Sequence, residues 1–285
     1  MKAKLDKRKL RGFIRKALDE DVKDGDHTSN ACIPSDQVSK GKLLVKDDGI
    51  LAGVEIAKEI FSHLDPNSKL EVLKYDGDSI KPGDIAFFLE CNTRALLKGE
   101  RLALNTMQRL SGVSTLSRKF SEEVRDLPVR ILDTRKTTPL LRFLEKWAVQ
   151  IGGSHNYRDG LYDRIMIKDN HIEAAGGITE AVNSVQKYLS ETGKNLDLTI
   201  EVKNLEEVAE VLALSCDARI MLDNFSVAMM RKAVKLVNDQ AEVEASGGVT
   251  LEHVREIALT GVDFISVGAL THSAGSLDLS LKIVS

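Results

Sequence analysis

"LTIEVKNLEEVAEVLALSCDARIMLDNFSVAMMRKAVKLV", residues 198–237, reads as strand, helix, strand, helix. "LTIEV" and "ARIML" are short apolar-rich runs, whereas "NLEEVAEVLAL" and "SVAMMRKAVKLV" carry apolar residues at helical spacing. Parallel strands need a crossover connection, and a helix of this length supplies one. The stretch therefore predicts a parallel sheet covered by helices.

The same texture extends outward from residue 129. "VRIL", "WAVQI", "DRIMIK", "EVEAS" and "DFISV" bring the strand-like runs to seven, and "GITEAVNSVQKYLS" and "TLEHVREIALTG" add helices. No GxGxxG follows any of these strands, which argues against a doubly wound sheet that binds a dinucleotide. An α/β fold with an incomplete, seven-stranded barrel over residues 113–274 is expected. Residues 1–112 read as a separate mixed α/β domain. Leu10, Phe13, Ile14, Ala17 and Leu18 mark one amphipathic helix, and a long helix is predicted from about Thr93 to Arg125. "GKLLVK", "GILAG" and "KLEVLKY" look like strands, with "VEIAKEIFSHL" a helix between them. The tail, 275–285, is expected to pack on this first domain.

Composition narrows the function classes. The 285 residues are 42% hydrophobic with a formal net charge of −3, enough for a large core and no polyanion-binding surface. Nucleic acid is not an expected partner. The basic start, MKAKLDKRKLRGF, lacks the apolar core of a signal peptide, and no apolar run reaches membrane-spanning length. Cys32, Cys91 and Cys216 form no CxxC pair, so a reduced, cytoplasmic protein is expected. The six histidines show no zinc spacing.

Chemistry in α/β barrels sits at the carboxyl ends of the strands. Here those ends read Asp133-Thr134-Arg135-Lys136, Gly152-Gly153-Ser154 leading to Arg158, Lys168-Asp169-Asn170, Glu201-Val202-Lys203, Asp223-Asn224, Ser246-Gly247-Gly248 and Gly268. One polar end is an ordinary loop; a ring of them predicts a site. Arg135, Lys136, Arg158 and Lys168 would form a cationic cluster for a polyanionic ligand. The glycines of Ser246-Gly247-Gly248 and Gly268-Ala269 let backbone N–H groups approach phosphate. Glu201 and Asp223 suit Mg²⁺ shared with phosphates, or ribose hydroxyls; pairing with a lysine such as Lys203 is the simpler alternative. Together these ends predict a barrel enzyme for a phosphorylated, carboxylate-bearing substrate, with Mg²⁺ as cofactor.

At these residues the chain resembles the quinolinate phosphoribosyltransferases. The matching stretches are "EDVKDGDHTS", "DDGILAGVEIA", "KGERLALNTMQRLSGVST", "LDTRKTTP", "IMIKDNHI", "MLDNFS", "EASGGVT" and "DFISVGALTHS". The resemblance implies an N-terminal α/β sandwich, a C-terminal seven-stranded α/β barrel, and homodimers or multiples of dimers with shared active sites. It implies transfer of phosphoribosyl from phosphoribosyl pyrophosphate (PRPP) to quinolinate with Mg²⁺, giving nicotinate mononucleotide, pyrophosphate and CO₂. By the same resemblance Thr134, Arg135, Tyr157, Arg158 and Lys168 bind quinolinate, and Arg101 reaches it from the neighbouring subunit. Lys136, Glu201 and Asp223 carry catalysis, the two acids on the metal side. Lys136, Ser246, Gly247, Gly248, Gly268, Leu270, Thr271 and His272 hold the phosphates. In "GGSHNYR" this chain departs from the usual pattern: Ser154 replaces a glycine and Tyr157 a histidine. Tyr157 is expected to donate its hydroxyl to a quinolinate carboxylate.

Overall fold

A computed structural model describes residues 5–214 and 216–284, which divide into two compact units. The first comprises residues up to Arg118, Thr138–Gly153 and the chain from Ser273 onward; the second is Lys119–Thr137 with Ser154–His272. Residues 138–153, placed with the barrel on sequence, thus group with the first unit.

The first unit contains α1 (Lys7–Val22), α2 (His27–Cys32), β1 (Val38–Val45), β2 (Gly49–Ile50), α3 (Val54–Leu64), β3 (Lys69–Val72), β4 (Ser79–Ile80) and β5 (Ile85–Asn92). It also holds most of α4 (Thr93–Glu123), all of α5 (Arg142–Gly152), and β12 (Leu279–Val284) at the end of the chain. Its main sheet runs β12-β1-β5-β3, all antiparallel, so the tail becomes an edge strand with Gly41 opposite Ile283. β2 and β4 form a separate two-stranded pair. Asp76 accepts the amides of Gly53, Val54 and Glu55, filling the open N-terminus of α3.

"WAVQI" is not a strand. Trp147 to Ile151 lie inside α5, whose Leu144, Trp147, Ala148 and Val149 are buried in a helical pattern. Its last carbonyls are taken by α4: Ser114 Oγ donates to Ala148 O at 2.8 Å, Ser117 Oγ to Val149 O at 2.7 Å, and Arg118 Nε to Gly152 O at 2.9 Å. Inside the helix, the buried Glu145 accepts Arg109 through Nε and Nη2 and Thr138 through N and Oγ1.

The second unit holds β6 (Arg130–Leu132), β7 (Ile165–Ile167), α6 (Asp169–Ala175), α7 (Ile178–Thr192), β8 (Leu198–Val202), α8 (Leu205–Ala213), β9 (Ala218–Asp223), α9 (Val227–Val237), β10 (Val243–Ser246), α10 (Val254–Ala258), β11 (Phe264–Ser266) and α11 (Ala269–His272). The parallel sheet runs β6-β11-β10-β9-β8-β7. Its first strand in the chain pairs with its last, the closure that curls a sheet into a barrel. On the far edge of β6, Leu132 makes one parallel bridge to His155. That bridge takes the second-strand place that "WAVQI" does not fill.

Side chains alternate across each strand. Ile167, Ile200, Val202, Ile220, Leu222, Ala245 and Ile265 form the buried apolar set. The alternate positions Met166, Thr199, Glu201, Arg219, Met221, Glu244 and Ser266 are largely polar. The Thr199–Tyr157, Arg219–Glu244 and Ser266–Glu244 contacts show that this second set shares the inner face. The apolar face is left for the helices.

Candidate active site

The carboxyl ends of the strands surround a cavity of about 650 Å³ built from the second unit alone. Thr134, Arg135 and Lys136 enter after β6, with Tyr157 and Arg158 beside them. Lys168, Glu201 and Asp223 follow from β7, β8 and β9. Ser246, Gly247, Gly248, Gly268 and His272 complete the ring.

Local geometry explains each placement. Buried Asp133 accepts the Tyr157 amide at 2.8 Å, and its own amide donates to His155 O at 3.0 Å. These bonds fasten the 155–158 segment to the end of β6. The Lys136 amide donates to Thr134 Oγ1 at 3.1 Å, and Thr271 Oγ1 donates to Lys136 O at 2.8 Å. The lysine stem lies against Gly268, where an added Cβ would stand 3.0 Å from Lys136 Cδ. Gly247 has φ +94°, and a Cβ there would meet Asn224 Oδ1 at 2.3 Å. The positive φ and the Asn224 backbone call for glycine at 247, whereas at 268 a side chain would press only on the Lys136 and His272 side chains. In-register pairing of Asp223 with Ser246 puts the carboxylate beside this loop.

Four cations, Arg135, Lys136, Arg158 and Lys168, face two carboxylates, Glu201 and Asp223. Lys168 Nζ donates to Glu201 Oε2 at 2.7 Å, so Glu201 has a lysine partner. It is not Lys203, whose Nζ lies 3.6 Å from Asp169. Arg158 is 9% exposed, and its hydrogen bond among the described contacts goes to Met166 Sδ at 3.4 Å. Burial, and then the Arg135 guanidinium, hold Arg158 below the usual arginine range. Among the described residues the hydrogen-bond acceptor of this buried guanidinium is a thioether, and the Asp163 and Glu244 carboxylates act on it electrostatically; a bound oxyanion would complete it.

Three expected residues stand apart from this lining. Leu270 is fully buried, and the buried Thr271 side chain serves the Lys136 carbonyl. Arg101 is exposed on α4 in the first unit. Tyr157 lines the cavity, but its hydroxyl lies 2.6 Å from Thr199 Oγ1. The Tyr157 and Thr199 hydroxyls share one hydrogen bond, in which either can be the donor. Met166, Met221, Val249, Thr250 and Ser266 also line the cavity and were not anticipated. For Met166, Met221 and Ser266 the signal was available: each sits two residues before a strand-end residue and so shares its face.

Among the described residues, no group of three or more His, Cys, Asp or Glu side chains could hold a metal ion. Glu201 and Asp223 alone suit an ion bound mainly through a ligand's phosphates.

The sequence profile of the quinolinate phosphoribosyl transferase N-terminal domain matches residues 26–111, and that of the C-terminal domain matches residues 113–282. The chain belongs to the quinolinate phosphoribosyltransferase family. Family relatives include the chloroplastic nicotinate-nucleotide pyrophosphorylase [carboxylating] of Arabidopsis thaliana, 46% identical over 96% of this chain and 82% of that protein. The probable nicotinate-nucleotide pyrophosphorylase [carboxylating] of Bacillus subtilis is 43% identical over 93% of this chain and 90% of its own. Among solved structures, the nicotinate-nucleotide pyrophosphorylase from Francisella tularensis superposes with a TM-score of 0.91 at 36% identity, covering 99% of this chain and 98% of that one. The human nicotinic acid phosphoribosyltransferase, at 10% identity and a TM-score of 0.63 over 96% and 74% of the two chains, shares the fold. No helix among the described residues is long and apolar enough to cross a membrane.

Proposed function

We infer that this enzyme transfers the phosphoribosyl group of PRPP to the ring nitrogen of quinolinate and releases CO₂, giving nicotinate mononucleotide and pyrophosphate for NAD biosynthesis. Family membership supports the reaction, and one observation about the site carries the assignment of roles. A single cavity combines four cations, two carboxylates and two glycine-bearing loops, and its buried Arg158 makes no ion pair with a carboxylate among the described contacts.

Arg158, Arg135, Lys168 and Thr134 bind the two quinolinate carboxylates and aim the ring nitrogen at the anomeric carbon of PRPP. Holding both reactants in line is the main contribution to rate. Lys136 faces the departing pyrophosphate, while the Ser246–Gly248 and Gly268 loops and His272 receive the phosphates. Glu201 and Asp223 orient the ribose hydroxyls, and they are the residues that would hold Mg²⁺ together with PRPP. When bound, Mg²⁺ supplies charge neutralisation of the leaving pyrophosphate. Ribosylation makes the ring nitrogen positive. That charge stabilises the carbanion left by loss of the neighbouring carboxylate as CO₂, and the carbanion then takes a proton from water, so no strong protein base is required.

We further propose a homodimer in which exposed Arg101 of one subunit completes its neighbour's site. The free cysteines Cys32, Cys91 and Cys216 support a reducing compartment, the cytoplasm. Incubation with quinolinate, PRPP and Mg²⁺, followed by chromatography, tests the reading. Nicotinate mononucleotide is expected, and its absence with folded enzyme would refute it.

A further inference from the structure

The catalytic cavity stands on a polar layer that the reaction does not explain. Tyr157 lines this cavity and also a second one, of about 350 Å³, whose walls include Arg164, just before β7, and Arg219, near the start of β9. Tyr157 and Arg158 both line the two cavities, so this pair stands between them. Its hydroxyl is 2.6 Å from Thr199 Oγ1, and Thr199 is fully buried. Its ring has the Arg164 guanidinium 5.1 Å from its centroid and the Arg219 guanidinium 5.6 Å away. Arg219 is itself anchored, by Glu242, by fully buried Glu244 at 3.0 Å, and by the Phe264 ring at 3.7 Å. Glu244 also accepts Ser266 Oγ, which belongs to the floor of the catalytic cavity.

A barrel interior filled by aliphatic side chains would give stability at lower desolvation cost. Here the strand positions beneath the site carry Thr199, Arg219 and Glu244 instead, and they converge on one side chain. Arg158, the next residue in the chain, is the buried guanidinium that meets substrate. A displaced Tyr157 would take the Arg158 backbone with it.

We propose that Thr199 is a positioning residue for quinolinate recognition: its hydroxyl bond fixes Tyr157, and through it Arg158, at the height the diacid requires. Tyr157 then acts by its place in the wall, seated on the cationic ledge of Arg164 and Arg219, and its hydroxyl serves Thr199. Phosphate recognition falls to Lys136 and the Ser246–Gly248 loop, neither of which touches the Thr199–Tyr157 bond among the described contacts. The inference rests on the quinolinate reading above.

A double-mutant cycle tests it, with steady-state kinetics in both substrates. Thr199→Val keeps the shape and removes the hydroxyl. Loss of one buried hydrogen bond corresponds to a change of about threefold to tenfold. The quinolinate KM should rise by about that factor, with kcat and the PRPP KM within about twofold. Thr199→Ser should restore the wild-type value. Tyr157→Phe should match Thr199→Val, and the double variant should be no worse than either single, because both remove the same bond. Unchanged quinolinate KM in Thr199→Val would overturn the proposal. So would losses that multiply in the double variant, which would mean that Tyr157 hands its hydroxyl to substrate. Equal increases in both KM values would assign Thr199 a general structural role and overturn it too. If Thr199→Val does not fold, Tyr157→Phe decides: a wild-type quinolinate KM there overturns the proposal. Wild-type enzyme inactive on quinolinate would instead sink the functional reading, a separate result.

Discussion

Lys168 and Glu201 close an ion pair across neighbouring strand ends, with Nζ 2.7 Å from Oε2. The partners differ in exposure: the Lys168 side chain is 43% exposed and that of Glu201 only 9%. Removing the lysine strands a buried carboxylate, whereas removing the acid leaves a lysine that water can reach. Lys168→Ala should therefore destabilise the ligand-free protein by on the order of 1–3 kcal/mol, and Glu201→Gln by clearly less. Urea unfolding of the two variants checks this. Equal losses would show that water solvates the Glu201 carboxylate as well.

Lys136 is exposed at the end of β6, its carbonyl held by Thr271 and its stem resting on Gly268. Because no described residue pairs with the ammonium, Lys136→Ala should unfold like the wild type. Turnover should fall by about a hundred- to a thousandfold, the range for loss of one preorganised group that stabilises developing charge. Turnover near wild type would remove Lys136 from the departure of pyrophosphate.

The proposed sharing of sites predicts complementation. Arg101→Ala and Lys136→Ala homodimers should each be nearly inactive. Mixed dimers should recover up to about half of the sites, since one site then carries neither substitution. Absence of recovery after verified subunit exchange would place Arg101 within its own chain's chemistry or outside catalysis.

The sequence was most legible where spacing and strand ends carry the signal. The long helix, predicted from about Thr93 to Arg125, is α4, and six of the strand-like runs are β6 to β11. The ring of strand ends became one cavity because parallel strands in a barrel all finish on one side. "WAVQI" misled because five apolar-rich residues fit a strand or a buried helix equally well. What decides between them is tertiary: buried Glu145 and the hydroxyls of Ser114 and Ser117 meet the 138–153 segment as a helix. The polar lining of the barrel was present in the alternation of "LTIEV", "ARIMLD" and "VEAS". Which face that alternation lines depends on strand pairing, which a single strand does not reveal. Pairing of Glu201 with Lys168 rather than Lys203 follows from strand adjacency, which sequence proximity does not give.

Cys91 offers a pH test of the first unit. Burial pushes its thiol from 9.0 up to about 12, so the folded protein holds that proton after the unfolded chain has released it. The folded state then binds more protons than the unfolded one, and stability must fall as pH rises from about 9 toward 12. Cys91→Ala should flatten this decline in urea unfolding measured from pH 8 to about pH 10.5. An unaltered slope would assign the alkaline loss to other groups.

The proposed substrate is a diacid that loses one carboxylate after ribosylation. The most direct measurement is CO₂ released per nicotinate mononucleotide formed, using quinolinate labelled in the carboxylate next to the ring nitrogen, with nicotinate plus PRPP as a parallel reaction. The account predicts one labelled CO₂ for each mononucleotide and little product from nicotinate. Efficient conversion of nicotinate, or mononucleotide formed without labelled CO₂, would contradict it.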